Sequence, residues 1–149
     1  MILSKTCDYA MRAVFYIAAQ KERKFIPIRE VSEKLDISFH FLTKILQVLT
    51  RAHILVSFKG PNGGIALACP AESISLSDIS KAIDGSKIYE ECILGLDQCG
   101  DENPCPLHNE WKRIRDQIQN LFDKTTFAEV AEKINCGEFR ITNLLKKNK

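Results

Sequence analysis

Three of the chain's six cysteines stand at positions 92, 99 and 105, with six and then five residues between them, and His108 follows after two more. Thiolates crowded in this way, with an imidazole beside them, have a short list of uses. They can hold an iron–sulfur cluster, in which histidine is an established substitute for a cysteine. The same four side chains would also satisfy a structural zinc, and without metal they remain redox-active thiols. None of the intervals is the two-residue gap of a paired-cysteine zinc motif, so spacing favours iron. Gly95, Asp97, Gly100, Asp101 and Asn103 lie among the ligands; they let a backbone wrap a metal centre and offer no apolar bulk for a core. Hydrolytic chemistry is poorly served, because there are only three histidines and neither an HExxH nor a GxSxG motif. The chain is therefore not expected to be an enzyme or to take a small-molecule substrate. A small electron-transfer protein is the alternative that would also carry a cluster.

The elements that must position these residues are mostly helical. From Lys5 to Gln20, apolar residues at Ala10, Ala13, Val14, Ile17 and Ala18 recur at helical spacing. Pro27 opens a second helix whose Ile28, Val31 and Leu35 share a face, and Ser38 is placed to cap a third, with Leu42, Ile45, Leu46 and Leu49 on its inner stripe. Two short helices joined by a tight turn make a helix-turn-helix. Leu55 to Phe58 then reads as a strand, Gly60 to Gly64 as a turn and Ile65 to Ala68 as a returning strand. A hairpin at this place is the wing of a winged helix, with Lys59 at its tip. Turn geometry accounts for its glycines, since no Gly-Lys-Ser/Thr follows to hold nucleotide phosphates. A short helix from Ser77 to Asp84 precedes the cysteine stretch, which has few signals for regular structure. Beyond it, Trp111, Ile114, Ile118, Leu121 and Phe122 step along a long helix from near Pro106 to Asp123. Its narrow apolar seam suits either a partner chain or its own domain. Thr126 and Glu129 form a capping box for a last short helix ending near Ile134. Cys7, Cys69 and Cys136 are expected as small buried apolar residues.

The expected fold is thus mainly α: a winged helix-turn-helix with a two-stranded β wing, and a long C-terminal helix. Its divisions are a winged domain over 1–70, a connecting helix and cysteine loop over 71–104, the long helix and a short capping helix over 105–135, and a basic tail over 136–149. Charge follows the same divisions. Residues 1–68 hold ten Lys/Arg against five Asp/Glu, residues 69–110 two against nine, and residues 111–149 nine against five. Only the first and last can face a polyanion. No apolar run approaches the roughly 20 residues that cross a bilayer. The stretch from Ala13 to Ala19 lacks a cleavage site, so a cytoplasmic protein without a membrane partner is expected.

Taken together, CDYAMRAVFYIA, LDISFHFLTKILQVL, FKGPNGGIAL, the three cysteines and TTFAEVAEKI resemble the Rrf-two family of winged-helix transcriptional regulators, over about residues 1–135. The three cysteines make the chain similar to the cluster-binding branch. The resemblance implies a homodimer joined through the long helix, over Leu107 to Asp123, that binds a double-stranded DNA operator and senses iron, nitric oxide, oxygen or redox state through its cluster. It makes Cys92, Cys99 and Cys105 the thiolate ligands. The fourth would be His108, with a [2Fe-2S] cluster favoured. Asp8, supplied by the other subunit to a [4Fe-4S] cluster, is the alternative. Toward DNA the third helix would present Ser38, His40, Thr43, Lys44, Gln47 and Arg51. Thr43 and Lys44 would read base edges, and Lys5 and Tyr9 of the first helix would add backbone contacts. Where cluster-binding members carry a wing arginine this chain has Lys59, which lacks the bidentate fork but can still reach phosphate.

Overall fold

The computed structural model of the protein describes residues 2–143. The end of the basic tail expected over 136–149 lies outside those residues. In chain order the elements are α1 (Lys5–Ala19), α2 (Ile28–Leu35), α3 (Phe39–Arg51), β1 (Leu55–Phe58), β2 (Gly64–Leu67), a 3-10 turn at Ala71–Ser73, α4 (Leu76–Asp84), α5 (Lys87–Glu90), α6 (His108–Lys124) and α7 (Phe127–Asn135). The fold is the mainly helical winged helix-turn-helix expected from the pattern.

Local chemistry explains the boundaries. Ser4 starts α1, its hydroxyl accepting from the Cys7 N–H at 3.0 Å. The tight turn after α2 is made by Asp36, whose φ of 54° lies in the left-handed region that short polar side chains tolerate. Ser32 Oγ donates to the Ile37 carbonyl at 2.6 Å and closes that turn from beneath. Ser38 stands at the α3 N-cap as expected, but its side chain makes no capping bond; the hydroxyl is exposed and free to face a ligand. α4 begins one residue earlier than its apolar spacing suggested, because Ser75 and Asp78 form a reciprocal capping box. α6 starts at His108 rather than near Pro106, and α5 adds a short turn that periodicity did not reveal.

β1 and β2 pair antiparallel from Leu55 opposite Leu67 to Phe58 opposite Gly64. The base of this wing is tied to the α1–α2 connection by a bridge between Ile26 and Ile65. Gly64 is required there: a Cβ would run into the Ile26 carbonyl, and at Gly63 into that of Phe58. Phe58 stacks on Phe25 at 5.2 Å, which braces the outer end of β1.

One core runs through the molecule. α1 lies at its centre, with Cys7, Ala10, Val14 and Ile17 buried against Leu42, Ile45 and Leu49 of α3, Ile79 of α4 and Phe127 and Ala131 of α7. Phe127 is fully buried and meets Phe15 of α1 at 4.9 Å. The C-terminal helix therefore returns to the first one. Of the three remaining cysteines, Cys7 is buried as expected, and burial with Asp84 and Asp8 nearby pushes its thiol up to about 12. Cys69 and Cys136 are exposed, against expectation. Cys69 lies beyond the wing hairpin and Cys136 at the end of α7, each past the last residue its element buries.

α6 differs from the others. Its buried side chains are His108 and Arg115, whereas Ile114 is 50% and Leu121 57% exposed. Ile118, Leu121 and Phe122 line an apolar groove of about 520 Å³ with Ile2 and Leu3.

Candidate cluster site and DNA-binding face

The loop between α5 and α6 brings the three cysteines and His108 together in two pairs. Cys92 Sγ lies 3.6 Å from Cys105 Sγ, and Cys99 Sγ lies 3.5 Å from His108 Nδ1. Cys92 and His108 are buried, and Cys99 and Cys105 half-buried. The loop is shaped locally: the Gly95 N–H donates to the Cys92 carbonyl and the His108 N–H to that of Cys105, each at 3.0 Å. Gly95 and Gln98 take positive φ values of 72° and 56°, which lets the chain double back between the first two cysteines.

Electrostatics within the site are uneven. Backbone N–H groups of Leu94 and Leu96, with Cys105 and Cys99, hold the Cys92 thiol below its ordinary value. The Leu107 N–H favours the Cys105 thiolate, but burial and the two neighbouring sulfurs outweigh it and raise that thiol. His108 Nε2 faces Asp101 Oδ1 at 2.9 Å, and Lys112 Nζ holds both oxygens of the same carboxylate at 3.0 and 2.9 Å. Lys112 and His108 keep Asp101 below the usual carboxylate range. An ionised carboxylate can only accept, so Nε2 carries a proton, and in the neutral imidazole this leaves the Nδ1 lone pair facing Cys99. This is the arrangement by which outer carboxylates fix metal-binding histidines.

Asp8 is elsewhere. On α1 both its oxygens receive the Arg12 guanidinium at 2.9 Å. Among the described residues no three Cys, His, Asp or Glu side chains converge to hold a metal ion. The shortest donor contacts are those of Cys92 with Cys105 and of Cys99 with His108, and Cys99 also neighbours Cys92. Residues that sequence reasoning passed over are Asp101, which it took for a spacer, Trp111, which it took for part of the apolar seam, and Lys112 and Arg115 beside that seam. Trp111 Nε1 donates to the Glu91 carbonyl at 2.9 Å, and Arg115 Nη1 to that of Glu90 at 3.0 Å. Their spacing from His108, three and seven residues on, was the available signal: it is one helical stripe.

The third helix and the wing form a basic face. His40, Lys44, Gln47, Arg51 and Lys59 are exposed there, and Thr43 is half-buried. Thr43, Gln47, Arg51 and Lys59 line one groove between α3 and the wing. Thr43 Oγ1 donates to the Phe39 carbonyl at 2.8 Å, so its proton is already committed. It can offer a base edge only lone pairs or its methyl group. Lys5 Nζ sits 5.4 Å over the Tyr9 ring, and Tyr9 meets Phe41 of α3 edge-on at 5.7 Å. That contact carries α1 up to the first turn of α3. The arrangement of α2, turn, α3 and hairpin defines a winged-helix DNA-binding regulator.

Comparison with known proteins gives the particular family. The chain belongs to the Rrf2 family, described as iron-dependent transcriptional regulators, whose model matches residues 3–133. It is 33% identical over 132 residues to an HTH-type transcriptional regulator of Aquifex aeolicus (strain VF5), covering 87% of this chain and 91% of that one. It is 27% identical over 130 residues to the regulator IscR of Vibrio campbellii (strain ATCC BAA-1116), covering 87% and 77%. Among solved structures it is similar to T. potens IscR, with a TM-score of 0.74, 20% identity and 93% and 91% of the two chains covered. It is also similar to CymR, the global cysteine regulator of B. subtilis, with a TM-score of 0.73, 23% identity and 88% and 96% covered. The chain is thus a DNA-binding transcriptional regulator and not an enzyme. Among the described residues no helix is long and apolar enough to cross a membrane.

Proposed function

We propose that the protein is a homodimeric, cytoplasmic regulator whose affinity for a double-stranded operator is set by an iron–sulfur cluster held by Cys92, Cys99, Cys105 and His108. The observation that carries this is the donor set of the loop between α5 and α6, with Cys92 against Cys105 and Cys99 against His108 Nδ1. Two donors to each of two irons is what a [2Fe-2S] cluster asks of a protein. The pairing is a poorer match to a single zinc, which needs four donors on one point. Asp8 as a ligand to a [4Fe-4S] cluster would first have to give up its bidentate bond to Arg12. When bound, such a cluster supplies redox chemistry and sensitivity to small oxidants and nitric oxide.

The chain's own residues do the rest. Asp101 and Lys112 orient His108. α6 carries both the ligand-bearing end of the loop and an exposed apolar seam suited to a second copy. Tyr89, buried on α5, links Ser80 of α4 at 2.5 Å to Phe122 of α6, edge-on at 6.1 Å. α4 in turn packs on α1 and α3. Whatever orders the loop therefore biases where the two α3 helices of a dimer stand, and that fraction sets operator affinity. Residues 1–70 are the part that reads DNA, with Ser38, His40, Thr43, Lys44, Arg51 and Lys59 on the basic face, and Lys5 and Tyr9 at its edge.

Anaerobically purified protein is expected to be coloured and to contain iron and acid-labile sulfide. Cys→Ala at 92, 99 or 105 should bleach it, and His108→Ala should change the spectrum more than Asp8→Ala. A second reading, dithiol sensing without metal, draws on the direct contact between Cys92 and Cys105. A colourless protein that cannot be reconstituted, yet changes operator affinity with thiol oxidation, would decide for it.

A further inference from the structure

The side of α6 that faces the cysteine loop carries hydrogen-bond donors where a packed helix ordinarily carries apolar groups. Arg115 is only 8% exposed. Its Nη1 donates to the Glu90 carbonyl at 3.0 Å and reaches that of Glu91 at 3.5 Å. One turn earlier, Trp111 Nε1 donates to the Glu91 carbonyl at 2.9 Å. These two carbonyls are the backbone immediately before Cys92. Among the described residues Arg115 forms no ion pair with a carboxylate, and its Nε has no hydrogen-bond partner. A guanidinium buried on those terms costs stability unless its remaining bonds accomplish something.

What they accomplish follows from the topology. Cys105 and His108 are attached to α6 directly, whereas Cys92 arrives from α5, at the far end of the loop. Bringing the two ends of that loop together costs conformational entropy. We infer that Arg115 and Trp111 are positioning residues, a two-point clasp that fixes the backbone at 90–92 on α6 and so sets Cys92 against Cys105 before any metal arrives. The inference rests on the reading of Cys92 and Cys105 as ligands, and it says how this chain preorganises them. It also ties the first cysteine to the helix proposed to join the dimer, through backbone carbonyls that no substitution at 90 or 91 removes.

The test uses metal-free, full-length protein and glutathione as a ruler. In a Cys99→Ser background, one of the two cysteine thiolates attacks a sulfur of oxidised glutathione and expels a glutathione thiolate. The other cysteine then attacks the mixed disulfide, forms the Cys92–Cys105 bond and releases the second glutathione. Two protein thiols are oxidised and one oxidised glutathione becomes two reduced ones. The equilibrium ratio, read by peptide mass mapping, gives the effective concentration of one thiol at the other. Arg115→Met should lower it about tenfold, the worth of a hydrogen bond from a charged group. Arg115→Lys should fall between, and Trp111→Phe, which keeps a ring and loses only the N–H donor, should lower it severalfold. Ile134→Ala on α7, away from the loop, should leave it unchanged while lowering stability.

Equal effective concentrations in wild type, Arg115→Lys and Trp111→Phe would overturn the clasp, even if Arg115→Met fails to fold. So would an effect of the same size from Ile134→Ala. Because no metal enters the measurement, a chain that never takes up iron but shows the expected ranking keeps the clasp and loses the cluster. A chain that loads a cluster but shows no ranking keeps the cluster and loses the clasp.

Discussion

Neutralising the basic face should change how DNA binding responds to salt, and the size of the change can be worked out from exposed cations. Lys5, Lys44, Arg51 and Lys59 are exposed, and among the described residues none forms an ion pair with a carboxylate. Each is available to displace a counterion from a phosphate. Two copies in a dimer present about eight such charges, and at about 0.9 counterion per contact the slope of log affinity against log salt should be about −7. Between roughly 50 and 200 mM salt, affinity should then fall on the order of ten-thousandfold. Lys59→Ala removes one contact per chain, so the slope should become shallower by about 2, and Arg51→Ala should do the same. Both should weaken operator and scrambled duplex alike, because phosphate carries no sequence. Phe25 stacks on Phe58 at the outer end of β1, so Lys59→Ala should leave the hairpin folded. Lys87→Ala, an exposed lysine on α5 away from this face, is the control. Fluorescence anisotropy of labelled duplex at several salt concentrations measures all of this. A wild-type slope shallower than about −3, or a slope that Lys59→Ala and Lys87→Ala leave equally unchanged, would refute this assignment of the DNA-binding face.

Three further outcomes are expected. Thr43→Val keeps the side chain's shape but removes the lone pairs left after its bond to Phe39; discrimination at one base pair should drop by about 1 to 3 kcal/mol in competition binding, with affinity for scrambled DNA unchanged. Phe127→Ala empties a fully buried site against Phe15 and should cost about 3 to 5 kcal/mol in urea denaturation, although the residue lies far along the chain from the winged segment. Glu30 is held at about 2, below its ordinary 4.5, chiefly by hydrogen bonds from Arg23 and Tyr16. Its contribution to stability should be complete above about pH 4.5 and be lost as pH falls toward 2. Glu30→Gln should flatten that part of the acid denaturation curve.

What the amino-acid order determined by itself is whatever depends on neighbours along the chain. Helical periodicity placed α1, α2, α3, α4, α6 and α7 to within a residue or two and missed the single turn of α5, because one apolar stripe per helix has to be buried somewhere. The run from Gly60 to Gly64 announced the wing, since few other sequences can turn so tightly. The candidate donors at 92, 99, 105 and 108 stood out as chemistry, because thiolates at such density have few other uses. Tertiary structure alone decided the rest. It paired Cys92 with Cys105 and Cys99 with His108 Nδ1, and it turned Asp101 from a spacer into the group that sets the imidazole's protonated nitrogen. It buried Phe127 on α1, some hundred residues away, and left Cys69 and Cys136 in solvent. It also made the inward stripe of α6 polar, with Arg115 beneath the backbone before Cys92 and the apolar seam facing outward. Periodicity left open whether that seam meets a partner chain or its own domain, because it reports which residues share a face. Which face is covered depends on what lies across from it, and for the first turns of α6 that includes the Glu90 and Glu91 carbonyls, which take donors from Arg115 and Trp111.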